Sequence, residues 1–262
     1  MDFFYLRASF KPKDIGRRFP QIVSDFPGDV FLPPWLASSP QAYVEGEKKM
    51  VVKVSNSVKP TSMMSSAMIR PPWFIGNRQL LSFLDENTDY QIPRRPLTVK
   101  FKDGERKYFV FKLKEESFSD WFDSAGCEAA YHMAKFYTPP YEYESEEIPG
   151  NRIFGLRKAK SDFWQARFAS NSSLKERNEA VNSMLPSDCR GGGIIISLTP
   201  KVGATLPPIL NLGNQVVCTS DFTEACAELG FTGMLFNPLL GSDHSFDDDG
   251  VMIVRGSERL NT

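Results

Sequence analysis

Residues 97–113, Leu-Thr-Val-Lys-Phe-Lys-Asp-Gly-Glu-Arg-Lys-Tyr-Phe-Val-Phe-Lys-Leu, constrain the fold of this chain more than any other stretch. Leu97, Val99 and Phe101 alternate with Thr98, Lys100 and Lys102, the period of two that turns one side of a strand inward and the other to water. Asp103-Gly104 follows, a pair that readily takes the positive φ of a tight turn. Tyr108, Val110 and Lys112 then alternate with Phe109, Phe111 and Leu113. The pattern predicts a β-hairpin, with its lysines on the wet face.

The rest of the first half reads as strand-rich and irregular. Phe3 to Ser9 and Met50 to Ser55 are short runs of the composition that strands favour. Phe31-Leu32-Pro33-Pro34-Trp35 and Arg70-Pro71-Pro72-Trp73 read as stiff loops whose indoles pack at a core edge. Phe118 to Tyr137 is expected to be helical, ending at Pro139-Pro140. An acidic stretch, Tyr141 to Glu147, leads to Pro149-Gly150, the candidate boundary between a region 1–148 and a region 149–262. These two regions are equally compatible with one compact body.

The second half carries clearer helix signals. Ser173 and Glu176 have the spacing of a capping box, with the helix expected to run to Leu185 and stop at Pro186. Gly191-Gly192-Gly193 leads into a strand from Ile194 to Leu198 and marks a bend where backbones approach closely. Gln215 to Ser220 is a strand, and Asp221 is positioned to cap the next helix with Glu224 three residues on. Phe222, Ala225, Cys226 and Leu229 then fall on one helical face, and Gly230 supplies the stop. Gly233 to Phe236 and Val251 to Val254 are further strands. The fold class expected is α+β: a strand-rich N-terminal half with a β-hairpin, then a strand–helix–strand C-terminal half.

Charge and cysteine usage narrow the function classes. Lys+Arg of 31 against Asp+Glu of 32 supplies no electrostatic reason to expect nucleic-acid binding. The basic-aromatic segment from Lys100 to Lys114 is explained by hairpin alternation. Six residues precede Arg7 with no basic leader and no long apolar core, so no signal peptide is expected. No apolar run approaches the roughly 18–20 residues that span a bilayer. Cys127, Cys189, Cys218 and Cys226 have no C-x-x-C spacing and fit a reducing compartment, and the expected location is the cytoplasm. Asn171-Ser172-Ser173 is then an accidental glycosylation sequon.

Few residues suggest chemistry. In the expected helix His132 lies about 140° round from Cys127, so the two form no local pair, and His132 reads as structural. His244 sits in Gly241-Ser242-Asp243-His244-Ser245-Phe246-Asp247-Asp248-Asp249-Gly250, which lacks the alternation and distal Glu of a calcium loop. That segment reads first as a solvated acidic loop, and next as a patch that meets a basic partner. The glycine run lacks the Gly-Lys-Ser/Thr ending of a phosphate loop. No catalytic residue, metal site or cofactor is expected.

Val216-Val217-Cys218-Thr219-Ser220-Asp221-Phe222, with Leu229-Gly230-Phe231-Thr232-Gly233-Met234-Leu235-Phe236-Asn237-Pro238-Leu239, resembles the C-terminal signature of a bacterial immunity-protein family of polymorphic or contact-dependent toxin systems. Phe4-Tyr5-Leu6-Arg7 is similar to the opening of that family. Cys218 and Thr219 depart from the residues commonest there, and Leu235 stands where an acidic residue is usual. The resemblance implies a protein that neutralises a cognate protein toxin by direct binding. The shared residues serve packing, capping and burial, so the resemblance carries no binding residue. Electrostatic complementarity to a basic toxin site points to Glu142, Glu144, Glu146, Glu147, Asp243, Asp247, Asp248 and Asp249. The alternatives are a hydrolase that reverses a toxin's modification, with His132, His244 and the aspartates in one cleft, and a scaffold or adaptor unrelated to toxins.

Overall fold

A computed structural model describes residues 2–17, 19–22, 50–66, 69, 72–133, 153–169, 172–213, 215–240 and 246–255. The first elements are β1 (Phe3–Ala8), α1 (Pro12–Ile15), β2 (Met50–Lys53), β3 (Met63–Met64), β4 (Trp73–Asn77), α2 (Arg78–Glu86), β5 (Arg94–Phe101) and β6 (Gly104–Lys112). There follow α3 (Phe118–Trp121), β7 (Glu128–Met133), β8 (Ile153–Lys158), α4 (Phe163–Arg167), α5 (Leu174–Ser183) and β9 (Cys189–Ser197). The last are β10 (Ile209–Leu212), β11 (Gln215–Thr219), α6 (Ser220–Glu228), β12 (Met234–Pro238) and β13 (Val251–Arg255). Helices and sheets are mixed without regular βαβ alternation, an α+β architecture.

Two compact units share the chain, and each is built from two separate stretches of it. One comprises Met1–Glu116 with Thr205–Pro238, the other Ser117–Ala204 with Leu239–Thr262. The boundary read at 148/149 lies outside the described residues.

The first unit holds two sheets, in the orders β10-β11-β1-β12 and β2-β5-β6-β4-β3. The expected hairpin is β5–β6, paired from Arg94↔Phe111 to Phe101↔Gly104; its turn is Lys102-Asp103, one residue before the Asp103-Gly104 expected, because Gly104 already pairs in β6. Leu97, Val99, Tyr108 and Val110 are buried on one side of it. Phe111 and Leu113 are buried on the other side, where they join Phe74 and the apolar face of α2. That helix begins because the Asn77 side chain accepts the Leu80 amide at 2.9 Å. It buries Leu80, Leu81 and Leu84, while Phe83 stacks against Phe222 of α6 at 5.5 Å between ring centroids. Trp73, the described indole of the two Pro-Pro-Trp segments, opens β4 and packs into the core.

Among the described residues, the second unit has a four-stranded sheet, β13-β8-β7-β9, and three short helices. Its apolar centre is Ala130, Leu156, Ile196 and Met252. An aromatic column stands beside it: Phe118 stacks on Trp164 at 4.8 Å and on Phe168 at 4.5 Å. The capping box before α5 is present, with the Glu176 amide reaching Ser173 Oγ at 3.3 Å and the Ser173 amide reaching Glu176 Oε2 at 2.7 Å. The helix ends at Ser183, two residues before the expected stop.

Four further expectations require correction. The long helix from Phe118 is one turn, α3, followed by a turn and the strand β7. Glu128-Ala129-Ala130-Tyr131-His132-Met133 lies between two partner strands, and that pairing outweighs local helix propensity. The cap of α6 is Thr219, whose hydroxyl accepts the Phe222 amide at 3.4 Å, so Asp221 falls in the first turn. Leu229 is exposed, because the helix buries only the stripe through Phe222 and Cys226. The glycine run lies inside β9, not before it, and a Cβ on Gly193 would stand 2.5 Å from the Phe163 ring.

Gly233 gives a direct test of this packing. Its φ is +81°, and an added Cβ would lie 2.0 Å from the Met63 carbonyl oxygen, whereas at Gly230, φ +67°, it would meet nothing within 4 Å. Gly230→Ala is therefore expected to cost only the backbone strain, about 1–2 kcal/mol. Gly233→Ala should cost clearly more, because β3 must also move. Urea denaturation of the two variants checks this, and equal losses would contradict it.

Candidate functional site

The acidic residues that the sequence offers as a binding site divide into two sets. Glu142, Glu144, Glu146, Glu147, Asp243 and His244 lie outside the described residues, whereas Asp247, Asp248 and Asp249 form the turn that leads into β13. Asp247 builds that turn. Its Oδ1 accepts the Asp249 amide at 3.0 Å and the Val251 amide at 2.8 Å, and its carbonyl accepts the Gly250 amide at 2.9 Å. A carboxylate holding two amides of its own loop is a structural cap. Asp248 and Asp249 project from the same turn into solvent.

The turn is flanked by cations from β8. The Arg157 guanidinium forms an ion pair with Asp188 at 2.7 Å and also donates to the Asp249 carbonyl at 3.4 Å. That guanidinium holds the Asp188 carboxyl below the usual carboxylate range. Lys158 pairs with Glu128 at 2.6 Å, and its Nζ also stands 5.4 Å over the Phe246 ring. Arg157 and Lys158 are thus already committed to neighbours, which leaves Asp248 and Asp249 as the acidic groups turned outward. Among the described residues, no three His, Cys, Asp or Glu side chains gather as a metal site.

His132 is half-buried on β7, opposite Leu156 of β8 and Arg190 of β9. This replaces the helical placement expected for it. Cys189 is paired with Met133, so it alternates to the other side of the sheet from His132. The four thiols are all free and buried. Burial in apolar surroundings pushes the Cys127 thiol up to about 11 and the Cys226 thiol up to about 12, and raises Cys218 and Cys189 as well. A nucleophilic cysteine needs the opposite, an exposed thiol stabilised as thiolate.

Sequence reading passed over a further exposed surface. Phe10 and Phe19 are among the few large apolar side chains exposed to solvent, at 43% and 46%, and their rings meet edge-to-face at 6.2 Å. Residues 10–19, Phe-Lys-Pro-Lys-Asp-Ile-Gly-Arg-Arg-Phe, carry both rings together with four cations and one carboxylate. That density was visible in the sequence. Without a helical or strand period, nothing local indicated that the rings face outward.

Among the described residues no helix is long and apolar enough to cross a membrane. No protein-family model and no curated protein matches the chain.

Two outcomes follow from this geometry. Asp247→Ala removes an acceptor of two amides and should cost about 1 kcal/mol or more, whereas Asp248→Ala should stay within about 0.5 kcal/mol of the parent, both read by urea denaturation. The thiols set an alkaline limit. Each keeps its proton in the folded state, while in the unfolded chain it ionises near about pH 8.5. Stability is therefore complete below that value and declines as pH rises toward 11–12. Tyr90, pushed up to about 12 by burial, adds a loss of the same sign above about pH 10. Denaturation midpoints measured from about pH 8 to 11 should fall steadily, and a flat profile would contradict the burial of these groups.

Proposed function

We propose that this chain is an immunity protein, acting in the cytoplasm, that neutralises a cognate bacterial toxin by direct protein–protein binding. One observation supports the reading. The two stretches that carry the resemblance, more than 200 residues apart, are neighbours in a single sheet. β1 lies between β11 and β12 and is antiparallel to both, with Phe4↔Cys218 and Tyr5↔Val217 on one side and Leu6↔Phe236 and Arg7↔Leu235 on the other. β11, α6 and β12 thus form a β-α-β unit split by the opening strand. Residues that resemble one family at both ends of the chain make one piece of architecture, as a shared scaffold requires.

On this reading the scaffold is the common part and the toxin-binding residues belong to variable surface. Asp248 and Asp249, turned outward, and the sequence-assigned Glu142, Glu144, Glu146, Glu147 and Asp243 are the acidic groups available to a basic toxin site.

Co-expression with the toxin encoded by the neighbouring gene tests the proposal. The expected result is a complex that survives size-exclusion chromatography and a restored growth rate. Neither complex nor protection rejects it. Protection at far fewer than one copy per toxin, without a complex, would instead indicate an enzyme that reverses the toxin's modification. Charge reversal of Asp248, Asp249 and the four glutamates should weaken binding by about tenfold or more. Unchanged affinity would remove those residues from the interface.

A further inference from the structure

The surface around Phe10 and Phe19 is built as a rigid platform. At its start the Ser9 amide bonds to the Gly233 carbonyl at 2.8 Å, and Ser9 Oγ donates to Asp14 at 3.0 Å. In its middle the Ile15 carbonyl accepts the Lys59 amide at 3.0 Å, and the Arg17 amide reaches the Ser57 carbonyl at 3.3 Å. At its end the buried Gln21 side chain donates to the Lys59 carbonyl at 2.8 Å, and the Gln21 amide donates to Ser65 Oγ at 3.0 Å. Ser9, Ile15, Arg17 and Gln21 are therefore tied to Gly233 and to residues 57–65. Two aromatic rings held out to solvent on fixed backbone lose little freedom when covered, which is the condition under which an exposed ring becomes a binding anchor.

The exposed charge of this segment is predominantly positive. Lys11, Lys13, Arg17 and Lys59 are exposed, and among the described residues none of them enters an ion pair. The Lys59 ammonium donates to the Lys13 carbonyl at 3.0 Å, which draws these cations together from positions more than forty residues apart. Asp14 is the one carboxylate within the segment, and it faces the Ser9 hydroxyl. Other exposed cations do enter ion pairs, as in Lys100–Glu105, Arg106–Asp103 and Lys158–Glu128, and these four do not.

We infer that this aromatic–basic platform is a docking surface for an acidic protein patch, with Phe10 and Phe19 as its apolar anchors. The inference rests on the immunity-protein reading in one respect, that the partner carrying the acidic patch is the toxin. Charge complementarity selects an acidic occupant. The edge-to-face contact covers part of one ring and leaves no pair of parallel open faces on which successive bases could stack, which disfavours single-stranded nucleic acid. The only helix in the segment, α1, has four residues, too short to lie as an amphipathic helix in a lipid interface. The surface belongs to the first unit and the acidic turn of Asp247–Asp249 to the second, and the two are opposite in charge, so separate variants test each.

The test uses the full chain and the neighbouring-gene toxin, with association followed by surface plasmon resonance at several salt concentrations. Phe10→Ala and Phe19→Ala should each raise Kd by about tenfold, chiefly through faster dissociation. The quadruple variant K11E/K13E/R17E/K59E should slow association by about tenfold at low salt and flatten its salt dependence. Circular dichroism and urea midpoints verify that the exposed substitutions leave the fold intact, and Phe10→Ser serves as a second ring deletion. Toxin that binds the parent and every folded variant alike overturns the docking surface and leaves the immunity reading standing. Toxin that fails to bind the parent overturns both. Binding of a single-stranded oligonucleotide, or of vesicles containing phosphatidylserine, that depends on Phe10 would reassign the surface to that ligand and overturn the protein assignment.

Discussion

The hydrogen bonds that seat β1 between β11 and β12 are the constraint on which the first unit depends. They join the start of the chain to a segment beyond residue 214, and they decide that α6 crosses over a strand instead of a gap. The entropy of closing so long a loop grows only with the logarithm of its length, so the distance in sequence is no obstacle once the strands pair and the core closes. Phe3 and Leu6 on β1 are buried, and Leu6 meets Phe222 and Cys226 of α6 in one continuous core. Loss of β1 would expose the inner edges of two strands at once and would separate β12 from the β10–β11 pair.

That core explains why the hairpin is apolar on both sides. A strand half in water alternates, whereas β6 buries Tyr108 and Val110 toward one cluster and Phe111 toward another. The second cluster is closed by α2 and α6, whose Phe83 and Phe222 are in contact and whose Phe83 also meets Phe231 at 5.4 Å. Free cysteines serve the same end. Cys218 and Cys226 fill small spaces in this core, with Cys218 Sγ donating to the Phe4 carbonyl at 3.5 Å, so burial that makes them good packing residues also makes them poor nucleophiles.

The surfaces show a contrast in how charge is used. In the second unit the acidic turn is held by Asp247 and bordered by Arg157 and Lys158, which are spent on Asp188 and Glu128. Asp247, Arg157 and Lys158 thus stabilise a turn and its neighbouring strands, while Asp248 and Asp249 stay turned outward. On the first unit the cations near Phe10 and Phe19 hold nothing together apart from one Lys59 bond to a carbonyl. Groups that contribute little to the fold are available for recognition, and exposed aromatic rings are among the side chains enriched at interfaces.

The sequence by itself determined the elements whose signals are local. The hairpin followed from period-two alternation and Asp103-Gly104, the start of α5 from Ser173 and Glu176, and the strands β1, β11 and β12 from short apolar runs bounded by breakers. It also determined the α+β class. Tertiary structure decided what depends on distant partners. His132 lies on a strand because β8 and β9 flank it, Leu229 faces water because α6 is held by Phe222 and Cys226 alone, and Thr219 displaces Asp221 as cap because β11 ends where β10 and β1 release it. The same holds for the candidate surfaces. Three consecutive aspartates could be read as a patch, but only the fold showed that Asp247 is occupied by two amides, and only the fold brought Lys59 beside Lys13. Local propensity is a matter of a few tenths of a kcal/mol per residue, and strand pairing with burial outweighs it wherever the two disagree.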